Sequence, residues 1–106
     1  MTIDESINFI YDSAQWGMIP SHMHQPLKDW IENGWMPGSF LQAILEHDIY
    51  GAVFKADSQN IERIAAWVQF ICWYIPAGCH GSLEKVKEWN RIGGLRGMEK
   101  SDATVI

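Results

Sequence analysis

Residues 58–76 read SQNIERIAAWVQFICWYIP, and this stretch decides the fold. Asp57 or Ser58 can cap a helix here, and Pro76 ends it because proline disfavours helical backbone at the residue before it. At about 100° per residue, Ile61, Ile64, Ala65, Val68, Ile71, Cys72 and Ile75 share one broad face. Arg63, Trp67, Phe70 and Tyr74 lie on nearly the opposite side. A helix that is apolar almost all round is buried on both sides. Either it is a central core helix, or its aromatic face packs on a second subunit or lines a ligand pocket. A small domain has few other elements with which to cover such a helix, and this favours symmetric self-association.

Working outward, Asp4 to Ala14 reads as a short helix capped by Asp4, with Ile7, Ile10, Tyr11 and Ala14 at helical spacing. Gly17 to Met23 reads as a loop. Pro26 suits the first turn of a helix that carries Leu27, Trp30 and Ile31 inward and stops at Asn33-Gly34. Pro37-Gly38-Ser39 opens the next helix, with Phe40, Ala43, Ile44 and His47 on related faces. Asp48 caps another through Ile49, Ala52, Val53 and Ala56, in which Gly51 marks a break or a close crossing. Past Pro76, the segment PAGCHG is a loop, Ser82 caps a helix through Val86 and Trp89, and Gly93, Gly94 and Gly97 break the chain. No period-2 alternation and no repeat is present. The expectation is an all-α fold, a compact bundle of about six short helices assembled as a homo-oligomer. A single domain covers 1–97, and 98–106 form a mobile tail.

The composition agrees with one small domain that carries surplus apolar surface. Of the 106 residues, 47% are hydrophobic, six are Trp and only 20% are charged, so either the core is very aromatic or part of that surface meets another subunit. The net charge of −5 argues against a nucleic acid polymer as partner, because phosphate contacts need a basic excess. A small anion needs only a few local donors and is not excluded. Two cysteines, Cys72 and Cys79, make no disulfide framework. The acidic start MTIDES is unlike a secretory leader, and the apolar run from Ile64 to Ile75 is too short to span a membrane. The expected protein is soluble and intracellular, with no membrane partner.

Two helix mouths carry the chemistry of binding. A helix N-terminus leaves its first amides unpaired and favours anions. At Gly38-Ser39 the mouth has Trp35 just upstream and Phe40 just inside. At Gly81-Ser82 it has Trp73 and Tyr74 upstream and Lys85 in the first turn. Together they could hold two phosphates while rings stack on bases, although each is equally legible as a cap with a core residue beside it. Asn60 is a candidate for a base edge or for a bridge between helices, and Arg63, Lys85, Arg91 and Arg96 are candidate charge partners. Arg91 and Arg96 flank the double glycine, where the backbone can fold over a ligand. His22, His24, Cys79 and His80 match no zinc spacing, so no metal is expected. His47-Asp48, Asp57 and Glu62 read as caps and solvated surface rather than as an acid–base pair, so no enzyme and no cofactor is expected.

The run MPGSFLQAILEHDIYGAVFKAD, then Asn60, then IPAGCHGSLEKVKEWNRIGGL, resembles a widespread family of small phage and prophage proteins. The pattern is carried by Pro37, Ser39, Phe40, Ala43, Leu45, Asp48, Ala52, Ala56, Asp57, Asn60, Pro76, Cys79, Gly81, Ser82, Glu84, Val86 and Trp89. It covers about two thirds of the chain and leaves the first 30 residues outside. Through that family the chain resembles the viral sponge proteins of the anti-CBASS type. The resemblance implies a homo-oligomer, a dimer or tetramer, that sequesters a cyclic dinucleotide in the host bacterial cytoplasm without cleaving it. The rival expectation is an acidic phage protein that inhibits a host defence protein by direct binding. A small phosphodiesterase or nuclease ranks last, for want of a metal-ligand pattern.

Overall fold

A computed structural model describes residues 2–104. The described residues form helices and turns and no strand, so the fold is all-α. None of their helices is long and apolar enough to cross a membrane. Helix α1 (Ile3–Tyr11) is capped by the Thr2 hydroxyl, which accepts from the Glu5 amide at 3.1 Å, and not by Asp4. A further short helix, α2 (Ala14–Met18), runs from the expected end of the first helix into the expected loop, because Ser13 caps a new start. After a 3-10 turn at Ser21–Met23, α3 (His24–Asn33) turns Leu27, Trp30 and Ile31 inward and ends at left-handed Gly34, as the spacing predicts. The next two helices are α4 (Ser39–Leu45) and α5 (Ile49–Lys55). Asp48 caps α5 through the Gly51 amide, and a Cβ on Gly51 would lie 2.2 Å from that same carboxylate. Gly51 therefore neither breaks α5 nor marks a crossing; it makes room for the cap.

The long stretch is two helices, α6 (Ser58–Glu62) and α7 (Ile64–Tyr74). Asp57 caps α6, and the chain turns at Arg63, whose amide bonds back three residues to the Asn60 carbonyl. The Asn60 side chain spans the break, its carboxamide oxygen accepting from the Trp67 indole at 3.1 Å. A 3-10 turn at Ala77–Cys79 leads to α8 (Leu83–Ile92), capped by Ser82, and to α9 (Gly94–Thr104). The backbone is thus helical through Thr104, where the glycine spacing suggested a broken chain; residues 105 and 106 of the expected tail lie outside the described residues.

The core sits where α3, α4, α7 and α8 meet. Trp30 and Trp67 are fully buried and Trp89 nearly so. Each indole N–H has an acceptor: Trp30 donates to the Cys79 carbonyl, Trp89 to the Trp30 carbonyl and Trp67 to Asn60. Burying a tryptophan without a partner for its N–H costs the desolvation of that donor. Among the described residues no buried side-chain polar atom lacks a partner. Trp16, Trp30, Trp67, Trp89, Phe40 and Phe70 are core, whereas Phe9, Trp35, Tyr50, Phe54 and Trp73 are exposed, and of the two roles expected for α7 its aromatic face takes the core one. Trp67 and Phe70 of its aromatic face point into the domain, whereas Val68 and Cys72 of its aliphatic face are exposed.

Candidate functional site

The two helix mouths do not come together. The Gly81 amide donates to the Leu45 carbonyl at 2.8 Å, which places the Ser82 mouth at the C-terminal end of α4. Ser39 lies at the other end, roughly 10 Å away along seven residues of helix. Gly38, not Ser39, is the cap residue there, and no side-chain oxygen closes that mouth. Trp35 beside it is 62% exposed. The Ser82 hydroxyl is occupied, accepting from the Lys85 amide at 3.2 Å.

Two of the expected ligand contacts are core residues. Phe40 is buried with its ring edge-on to Trp67, 5.5 Å between centroids. Asn60 is buried with its oxygen committed to Trp67, so it bridges helices rather than reading a base. The charge partners are divided. Arg91 pairs with Glu88 one turn earlier on α8. Arg96 pairs with Glu32 at 3.0 Å, and the Tyr11 hydroxyl donates to the other oxygen of that carboxylate at 2.9 Å. Burial, then the bond to Glu32, pushes the Tyr11 phenol above its ordinary range. The double glycine does not fold over open space either: Gly94 packs against the end of α3, where a Cβ would lie 2.6 Å from the Gly34 nitrogen. Arg63 and Lys85 are exposed and form no ion pair among the described residues.

Trp73 and Tyr74 line a groove that sequence reasoning missed. Phe9, Gln15, Gln69, Trp73 and Tyr74 bound a volume of about 450 Å³ between α1, α2 and α7. The groove continues past Trp73 and Tyr74 to Ser6, Pro76 and Leu95. Trp73 is 77% exposed, and Tyr74 lies between Phe9 and Phe70, 5.9 Å from each ring centroid. The carboxamides of Gln15 and Gln69 each offer a donor and an acceptor beside these rings. Phe9 was the available signal, a large apolar residue off the buried Ile7–Ile10 stripe of α1. Gln69 was another, one turn before Trp73 on the exposed side of α7.

The histidines serve the fold in different ways. His24 stacks on Trp16 at 4.3 Å and bonds through Nε2 to the Trp16 and Ile19 carbonyls. His22 contacts Asp57 at 2.9 Å. The Asp57 carboxyl is held below its ordinary value first by the Asn60 amide and then by His22. His47, expected on a helix face, lies past α4 with φ +64, and its Nε2 is 2.9 Å from His80 Nδ1. Such a contact needs one ring to donate and the other to accept. Burial, then His47 and Lys85, lowers the His80 pKa below its ordinary value. A lowered histidine pKa means the unfolded chain binds more protons as pH falls. Stability supplied by neutral His80 is therefore present above its ordinary value near 6.5 and lost on acidification. Urea midpoints from pH 7.5 to 5 should fall for the wild type and fall less steeply for His80→Gln. Parallel profiles would remove His80 as the cause.

Cys79 is fully buried, which pushes its thiol above the ordinary range, while Cys72 is exposed. Among the described residues no three His, Cys, Asp or Glu side chains converge to hold a metal ion. No protein-family model matches the chain, and no curated protein or solved structure matches it.

Proposed function

We propose that this protein binds a cyclic dinucleotide signal and sequesters it without cleaving it, as a homo-oligomer in the cytoplasm of a phage-infected bacterium. The observation that carries this reading is the Phe9–Trp73–Tyr74 groove with Gln15 and Gln69 on its walls. Exposed rings give a flat base a stacking surface worth ~1–3 kcal/mol per base, and carboxamides can bond its edge. No lysine or arginine is among the residues bounding this groove, so in this reading base stacking dominates the affinity. Of the four candidate charge partners, Arg63 and Lys85 stay outside any ion pair among the described residues and are offered here to meet a phosphate.

The test is a thermal-shift panel of cyclic dinucleotides, with the nucleotide recovered intact after denaturation. One of them should raise the melting temperature by several degrees, because a ligand of the folded state stabilises it by mass action. Trp73→Ala should abolish the shift while leaving the unliganded melting temperature within about 3 °C, since the ring is mostly in solvent. No shift with any nucleotide, or recovery of a cleaved product, would sink the proposal.

A second reading, an acidic inhibitor that covers a host defence protein, draws on a different observation: Tyr50 and Phe54 of α5 stand almost wholly in solvent. That protein would be indifferent to nucleotides and would co-purify with its target.

A further inference from the structure

The apolar surface of α5 lies beside a hollow of matching character. Ile49, Tyr50, Val53 and Phe54 are all exposed, Tyr50 at 89% and Phe54 at 88%, forming a ridge along one side of the helix. Helical spacing of one and four residues accounts for the ridge, and only Ala52 of this segment is buried. Immediately alongside, sharing Ile49, is a hollow of about 220 Å³ lined also by Ile44, His47, Val68, Ile71 and Cys72. Aliphatic carbons make most of the wall. A cavity of ~150 Å³ accepts a benzene ring, so this one accepts an aromatic side chain.

We infer that two copies of this chain pair about a two-fold axis, with the Tyr50–Phe54 ridge of each seated in the hollow between α4 and α7 of the other. Three observations select a second copy as the occupant. Ridge and hollow share one surface, and such a surface is self-complementary under two-fold symmetry, each protomer giving a knob and receiving one. The area is substantial: aromatic side chains present ~150–250 Å² each, so Tyr50 and Phe54 supply close to half of the roughly 800 Å² per partner in a standard interface, and Ile49, Val53 and the wall of the hollow add to it. The segment from Ile49 to Phe54 has no charge in a chain of net charge −5, so identical copies meet there without like charges opposed. This gives the homo-oligomer of the proposed function a definite face, and it stands or falls separately from nucleotide binding.

The experiment is sedimentation of the full chain, with thiol labelling as a second readout. At ~100 µM the wild type should sediment at twice the chain mass, and Phe54→Glu and Val68→Glu, one on the ridge and one in the hollow, should each weaken pairing by more than ~100-fold. Both side chains are exposed, so circular dichroism should show unchanged helix content. Cys72 lines the hollow whereas Cys79 is buried, so labelling by an aromatic disulfide reagent reports on Cys72. It should be at least ~10-fold slower in the wild type than in Phe54→Glu at the same concentration, because the partner's ring covers it. A wild type that is monomeric at ~100 µM overturns the proposal, including one that captures a different protein through Phe54. A dimer that survives both substitutions overturns it as well.

Discussion

Gly94→Ala is expected to destabilise the fold by roughly 2–5 kcal/mol and to lower the melting temperature by about 10–30 °C. Gly94 adopts φ +70, where an L side chain meets its own backbone. Its added Cβ would also stand 2.6 Å from the Glu32 carbonyl carbon and 2.6 Å from the Gly34 nitrogen. Both neighbours are backbone, so no side chain can swing aside. Gly34 is left-handed too, and its Cβ would lie 2.6 Å from the Trp89 carbonyl oxygen. The end of α3 and the start of α9 thus meet backbone to backbone, and Asn90 adds a bond of 2.8 Å to the Gly34 carbonyl. Urea unfolding followed by circular dichroism measures the loss. An alanine variant within about 0.5 kcal/mol of wild type would show that α9 does not pack on α3 in this way.

Trp30 carries the second large effect. Its side chain is fully buried, its N–H donates to the Cys79 carbonyl, and its own carbonyl accepts from Trp89. It therefore joins α3 to the 3-10 turn and to α8 in one place. Trp30→Ala should lose about 3–5 kcal/mol from lost contacts and the cavity left behind. Trp30→Phe keeps much of the volume but leaves the Cys79 carbonyl without its donor, and should lose about 1–3 kcal/mol. The ordering of the two variants separates packing from hydrogen bonding. If phenylalanine proves as damaging as alanine, the hydrogen bond dominates; if it matches the wild type, the bond contributes little. In a domain whose total stability is on the order of 5–15 kcal/mol, the alanine variant approaches the limit of folding.

Local signals were legible in the sequence. Asp48, Asp57 and Ser82 each accept a hydrogen bond from the amide three residues on, and Gly34 ends α3 in the left-handed region. These features involve neighbours in the chain, so residue type and spacing suffice to find them. The all-helical class and the inward positions Leu27, Trp30, Ile31, Val86 and Trp89 follow from the same local periodicity.

What the sequence left open was the choice between faces. The stretch from 58 to 76 is apolar almost all round, so hydropathy does not rank its two sides. The tertiary structure ranks them through distant partners: Trp16 and Phe40 pack on the aromatic side, and Asn60 satisfies the Trp67 indole there. The aliphatic side is then left for the hollow beside α5. The groove of the candidate site has the same origin. Phe9 and Gln15 meet Gln69 and Trp73 across more than fifty residues of chain, a juxtaposition that no spacing rule encodes. The glycines at 93 and 94, legible as a break, became a close crossing only because the end of α3 lies against them. Sequence alone determined an all-α chain, the caps at Asp48, Asp57 and Ser82, and much of its core. Tertiary packing decided which apolar surfaces are used up inside the domain and which remain outside, because burial depends on partners that the chain brings together only when it folds.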